Sequence, residues 1–370
     1  MTLTTAPLAP LDVASRLGRL RAELADAPVD ALLVTKLANI RYLTGFTGSA
    51  ALLLVSGDDA LFVTDGRYGE RSHDELSAAG VGARIEIGLT GAAQRQTLVD
   101  AVAGGSRLGL EQHDVSWAQQ LDYAEAFAGV ELVPAGELVE ALRRVKDAGE
   151  IDRIRRACAI ADDAFESLLP RFAQGLTEQE FALELEFAMR ERGASGNSFD
   201  PIIASGPNGS RPHHMPSDRV IRRNELVVCD FGCIVDGYCS DMTRTISVGD
   251  PGADARHVFE VVLESQASGR AAVAAGVACA EVDRASRDVI AEAGWADAFS
   301  HSTGHGVGLE IHEAPRVATT AGDTLLVNDV VTVEPGVYLP GVGGVRIEDT
   351  LVVGASGADA LTRFPKDLVL

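Results

Sequence analysis

The chain has 370 residues, 46% of them apolar, with 54 acidic against 32 basic side chains and a formal net charge of −22. That length exceeds one ordinary core and fits two domains, which the apolar share is sufficient to fill. The charge would repel phosphate backbones and anionic lipid, so neither nucleic acid nor a membrane surface is expected as a partner, whereas hard cations are compatible. The opening run MTLTTAPLAPLDVASRLGRLRAEL lacks a basic segment followed by an apolar one, and no later stretch keeps about 18 apolar residues together; a soluble, cytoplasmic protein is expected. Cys158, Cys229, Cys233, Cys239 and Cys279 are few and odd in number, which argues against a disulfide framework.

In chain order, Asp12 is expected to cap a helix that carries Val13, Leu17, Leu20 and Leu24 on one face and ends near Pro28. Strands are predicted at Ala31 to Val34, Ala50 to Val55, Ala60 to Val63, Leu108 to Leu110 and Leu132 to Val133, with Ala-rich helices between some of them. The glycines near Gly45 and Gly48 lack the strand, turn and helix order of a dinucleotide loop. Charge density rises in ALRRVKDAGEIDRIRRA, where a new amphipathic helix begins, so the domains are read as residues 1–146 and 147–370.

The second domain repeats its element order. Its first half reads as a helix at about 150–168, a helix at 178–192 opened by Thr177-Glu178-Gln179-Glu180 and closed by Gly193, then strands. Its second half reads as a helix at about 254–275, a helix at 281–293 closed by Gly294, a His-rich segment and a hairpin within VVTVEPGVYLPGVGGVRIEDTLVV. Two such halves commonly face each other, and a site between them draws on both.

In CDFGCIVDGYCSDMTRT, an Asp236-Gly237 turn would pair Val235 with Tyr238 and set Asp230 opposite Thr243. Asp241 then projects from the same face as Asp230. Cys229 and Cys233 point away from Asp230, and Cys239 shares the face of Asp241; thiols split in this way make a poor tetrahedral zinc set, and they read as small buried hydrophobes. In the second hairpin Glu334 and Glu348 are equidistant from Gly341, with Arg346 on the face of Glu348. Taken singly, each carboxylate could face solvent or pair with Arg244 or Arg346. Four converging acids without a cation would repel and protonate, so the joint case favours metal.

SHSTGHGVGLEIHEAP adds His301, His305 and His312 among glycines that permit close backbone approach, while His213 and His214 lie in another loop. Such a density of imidazoles fits proton transfer and ligation. The spacing of His301 and His305 is also that of helical zinc sites, but Gly304 and Gly306 argue against a helix. An imidazole with four carboxylates is a hard ligand set that suits Mn2+ or a similar ion, and two metals bridged by carboxylates are a natural arrangement; the implied chemistry is metal-assisted hydrolysis.

The segments Pro212 to Arg244, His301 to Arg316 and Val331 to Thr350 resemble the signature of the pita-bread metallopeptidases, in particular the Xaa-Pro branch of prolidase and aminopeptidase P. NIRYLTGFTGS, residues 39–49, resembles the creatinase-like N-terminal domain of that branch. The fold this implies is α/β and α+β, a creatinase-like N-terminal domain followed by a C-terminal pita-bread domain with an internal pseudo-twofold repeat. Creatinases share the architecture without this ligand set; methionine aminopeptidases share the ligands, usually without such an N-terminal domain.

By this resemblance Asp230 would chelate one metal, His305 and Glu334 the other, and Asp241 and Glu348 would bridge the pair. The cofactors implied are two divalent ions, Mn2+ with Co2+ or Zn2+ as alternatives. Water activated there would attack the carbonyl before proline, with Glu334 relaying the proton to the leaving prolyl nitrogen. His213, His301 and His312 match histidines close to the substrate, and Arg346 and Tyr238 match residues beside the metal centre; for Arg346, orienting Glu348 and acting directly are both open. Arg316, in HEAPR, matches an arginine with which some prolidases read the carboxylate after proline, although a surface or ion-pair role also fits it. The reading leans to an Xaa-Pro dipeptidase acting on proline-containing peptides as a homodimer. The alternatives are an Xaa-Pro aminopeptidase and, from another class, a metal-free pita-bread binding module, which loss of a ligand would have marked.

Overall fold

Val13, Leu17, Leu20 and Leu24 recur at helical spacing, and all four are buried along the 3-10 turn Val13–Ser15 and the helix Arg16–Asp26 in the computed structural model, which describes residues 7–370. The Asp12 carboxylate accepts from the Ser15 hydroxyl at 2.6 Å and makes no side-chain cap to the backbone of that turn. The chain divides into two units, Leu11–Arg143 and Arg144–Leu370 with the described residues before Leu11.

In the first unit, short apolar runs become a six-stranded sheet. The strands Ala31–Val34, Ala51–Ser56 and Ala60–Thr64 pair antiparallel in succession, while Arg107–Leu110 and Glu131–Pro134 extend the other side of Ala31–Val34 in parallel. The strand Arg84–Ile87, absent from the sequence reading, adds in parallel to Ala60–Thr64 at the sheet edge. Arg84 and Glu86 interrupt its apolar pattern and it is mostly exposed, so no buried run announces it.

In the second unit the repeated order is explicit. The helices Ala148–Leu168 and Glu178–Glu191 precede the strands Leu226–Phe231 and Met242–Ser247, and the helices Ala253–Ala272 and Cys279–Glu292 precede Val330–Val333 and Asp349–Val353. Thr177 and Glu180 form the expected capping box. In the first half Ile160, Phe165, Phe181 and Leu185 pack on Val227, Cys229 and Phe231. In the second, Val273, Cys279 and Val282 pack on Val331, Val333, Leu351 and Val353. Alternation along each strand then turns the residues between these toward the opposite face. No helix among the described residues is long and apolar enough to cross a membrane.

Candidate metal centre

Asp236 and Gly237 both adopt positive φ, 45° and 81°, as a two-residue hairpin turn requires. The register that results pairs Val235 with Tyr238 and Asp230 with Thr243. In the second half, Gly336–Leu339 pairs with Gly343–Arg346, and Val330–Val333 pairs with the strand Asp349–Val353. Glu334 and Glu348 fall between these two ladders, equidistant from Gly341. His305 comes from the short strand Gly304–Gly306, not from a helix. A Cβ on Gly304 would lie 2.0 Å from the Thr332 carbonyl oxygen, so only glycine lets this strand approach.

These elements open on a cavity of about 650 Å³ whose walls include Asp230, Asp241, His305, Glu334 and Glu348. His213, His301, His312, Arg316 and Arg346 line the same cavity. One ligand atom from each of Asp241, His305 and Glu348 lies within 4.8 Å of the other two. His305 Nε2 is 3.6 Å from Asp241 Oδ2 and 3.3 Å from Glu334 Oε1.

Burial is the largest influence on all four acids. It raises the Asp230 carboxyl against the charge of Arg346, and raises Asp241 and Glu348 well above the usual range, helped by their acidic neighbours. Glu334 differs: burial opposes ionisation, but the hydrogen bond and charge of His305, with His301 and Arg346 behind it, hold it at about 2. His305 is in turn raised, the Glu334 contact outweighing burial. Asp230 Oδ1 and Glu348 Oε1 are buried with no hydrogen-bond partner among the described residues. Unpaired buried carboxylate oxygens facing one cavity fit a bound divalent cation, which would relieve both the orphaned atoms and the mutual repulsion.

The surrounding bonds fix these oxygens. Arg346 donates from Nη2 to Asp230 Oδ2 at 2.5 Å, from Nη1 to the Tyr338 hydroxyl at 2.7 Å and from Nε to Thr243 Oγ1 at 3.1 Å. Thr243 donates onward to Glu348 Oε2 at 2.7 Å. Thr332 Oγ1 accepts from the His305 backbone N–H and donates to Glu334 Oε1. His301 Nε2 meets the Tyr338 hydroxyl at 2.8 Å, and the His305 and His312 rings stand edge to face, 4.4 Å apart. Arg244 turns from the cavity to Asp349, the Glu348 carbonyl and the Phe364 carbonyl, so of the two arginines considered only Arg346 pairs with one of the four acids.

Tyr238 departs from its expected place. Its buried hydroxyl donates to Glu150 at 3.0 Å and it is absent from the cavity lining, whereas Tyr338 joins His301 to Arg346. Tyr338 lies two residues from Gly336, the partner of Arg346, so hairpin parity would have found it. Thr332 was visible in the same way, two residues before Glu334. In the sequence Glu178 shows only as part of the capping box. It accepts from Ser205, Asn208 and Ser217, and its carboxylate lies 2.9 Å from His214 Nε2, anchoring the loop that carries His213. The five cysteines are buried and form no disulfide among the described residues; none lines the cavity, and burial raises the Cys233 thiol to about 12.

The profile of metallopeptidase family M24 matches residues 152–355, and that of the creatinase/prolidase N-terminal domain matches residues 16–145. The chain is 35% identical to the Xaa-Pro dipeptidase of Pyrococcus furiosus over 96% of its own length and 99% of the relative. Among solved structures, the Xaa-Pro dipeptidase from Bacillus anthracis is 39% identical with a TM-score of 0.90, covering 97% of this chain and 100% of that one. The X-Pro aminopeptidase from Thermotoga maritima is 34% identical with a TM-score of 0.85, covering 94% of this chain and 100% of that one.

Proposed function

Because the chain belongs to metallopeptidase family M24 and is therefore a peptidase, we propose that it hydrolyses the bond before proline in Xaa-Pro dipeptides, using two divalent ions held by Asp230, Asp241, His305, Glu334 and Glu348. The observation that carries this reading is the convergence of these five residues, two of which present buried oxygens without partners, in a chain similar over its length to Xaa-Pro dipeptidases. The oxygen-rich set favours Mn2+, with Co2+ and Zn2+ as alternatives. Bound ions supply Lewis-acid polarisation of the scissile carbonyl and acidify water.

The protein's own groups do the rest. Glu334, held ionised at about 2, is the proton acceptor nearest His305. His301 has its pKa lowered chiefly by burial; in the neutral form its Nδ1–H donates to the Ser302 carbonyl and its Nε2 accepts from the Tyr338 hydroxyl, each at 2.8 Å, so it is assigned to positioning on the cavity wall. His213 and His312 line the same cavity and are assigned to substrate positioning and proton relay. Arg346 is assigned to holding Asp230 and, through Thr243, Glu348.

Arg316 supports the dipeptidase reading: it is exposed, lies on the cavity wall and has no carboxylate within 4.0 Å among the described residues, so it is available to a substrate carboxylate. The similarity to the Thermotoga maritima aminopeptidase keeps the longer-substrate reading as the alternative. Five buried thiols without a disulfide support a cytoplasmic setting. The homodimer rests on the family resemblance, and sedimentation measures it directly.

The deciding experiment compares Xaa-Pro with Xaa-Pro-Xaa on Mn2+-loaded protein, with Arg316→Ala alongside. The dipeptide is expected to be cleaved with the higher kcat/KM, and the variant to raise its KM. Preference for the longer peptide, with Arg316→Ala unaffected, would select the aminopeptidase. Protein stripped and reloaded that neither binds metal stoichiometrically nor gains peptidase activity would return it to a binding module.

A further inference from the structure

A second cavity, of about 550 Å³, lies within the C-terminal unit away from the carboxylate cluster. Its walls carry Arg155 from the helix Ala148–Leu168, Arg270 from the last turn of Ala253–Ala272, and Arg363 and Lys366 from the C-terminal segment, against one acid, Asp359. In a chain of net charge −22, this surplus of cations runs against the general composition. The acids behind it are already engaged: Asp162 accepts from the Arg363 and Phe364 backbone N–H groups at 2.7 and 3.2 Å. The buried Asp349 beneath the cavity already accepts from Arg244 at 3.0 Å, Thr362 at 3.1 Å and Gln266 at 3.0 Å, and pairs with Lys366 at 2.7 Å. Arg270 reaches it only at 4.0 Å. Arg155 and Arg363 have no carboxylate within 4.0 Å of their guanidinium groups among the described residues. Burial, with smaller contributions from the charges of Arg244 and Arg270, holds Lys366 below its ordinary pKa despite Asp349.

We propose that this cavity is a binding site for a phosphate group, free or borne on a small molecule. Guanidinium groups from a helix, a second helix end and the C-terminal segment share one cavity wall, and several such forks match the several oxygens of a phosphate dianion better than a single carboxylate. The volume lies in the range of small-molecule sites and leaves room for more than the phosphate itself.

The test measures equilibrium binding of inorganic phosphate and of adenosine monophosphate to the metal-loaded protein, beside Arg155→Ala/Arg363→Ala prepared in the same way. Both arginines are exposed and outside the catalytic cavity, so peptidase activity without added anion is expected to be unchanged. The wild type is expected to bind about one equivalent more than the double variant, or at least about tenfold more tightly, for one or both probes. Equal binding of the two probes identifies the phosphate group as the recognised element; binding of the nucleotide alone identifies the larger ligand. Isotherms that are the same for wild type and variant would assign any binding to the metal centre or to general ion association, and would overturn the proposal, as would the absence of saturable binding.

Discussion

Arg346 and Asp230 meet at 2.5 Å, both buried, with the other Asp230 oxygen left unpartnered among the described residues. The guanidinium therefore serves one half of the carboxylate and leaves the other to the cavity. Removing it would strand a buried charge that metal alone could then compensate. Arg346→Ala is expected to destabilise chelator-treated protein by about 3 kcal/mol, and metal-loaded protein by less. Thermal denaturation of both forms checks this; equal losses in the two forms would detach Arg346 from the metal-facing carboxylates.

Metal and protons are expected to compete for the same oxygens. In the metal-free protein Asp241 and Glu348 are raised well above their ordinary values, first by burial. A carboxyl raised on folding stabilises fully below its unfolded pKa of about 4 and loses that contribution as pH rises through the folded value. Added Mn2+ should displace those protons, so its affinity increases with pH. Calorimetry in two buffers of different ionisation enthalpy is expected to show net proton release on binding at neutral pH; no release would mean these acids are already ionised in the metal-free protein.

Glu178 has the opposite sign. Burial would raise it, but hydrogen bonds from Ser217 and Ser205 and the His214 contact outweigh burial and lower it from 4.5 to about 2. Its contribution is present above pH 4.5 and is lost as pH falls toward 2. The shift corresponds to roughly 3 kcal/mol. Glu178→Gln is therefore expected to be less stable than wild type at pH 7 by up to that order, with the gap closing as pH falls through this window. Because the loop it anchors carries His213, kcat/KM should fall as well, which denaturation and kinetics across pH would separate.

Strand parity made much of the site legible. Once Asp236-Gly237 was read as a turn, Asp230, Thr243 and Asp241 followed from alternation, and the same operation about Gly341 related Glu334 to Glu348. Tyr338 and Thr332 obey the same parity but carry no charge to draw attention. Glu178 is opaque for another reason: its partners run from Ser205, at the end of the strand Ile202–Ser205, through Asn208 in the 3-10 turn Gly206–Ser210 to His214 and Ser217 in irregular chain, and no single period links them. The strand Arg84–Ile87 escaped because an exposed edge needs no apolar pattern. The Asp12 cap failed in detail because the Ser15 hydroxyl offered its carboxylate a nearer donor.

Thr243 provides the most selective test of how the two halves are joined. Its hydroxyl accepts from Arg346 Nε at 3.1 Å and donates to Glu348 Oε2 at 2.7 Å, so one small side chain orients an arginine and a candidate ligand from the opposite half. Thr243→Val keeps the shape and removes both bonds. Glu348 would then have both oxygens unpaired in the metal-free protein, since Oε1 has no partner among the described residues. The expected result is a metal affinity lower by about 10- to 100-fold. Thr243→Ser, which retains the hydroxyl, should restore most of it. If valine and serine variants bound Mn2+ alike, Glu348 would be oriented by the backbone of its own strand, and the hydroxyl bridge would have no part in metal binding.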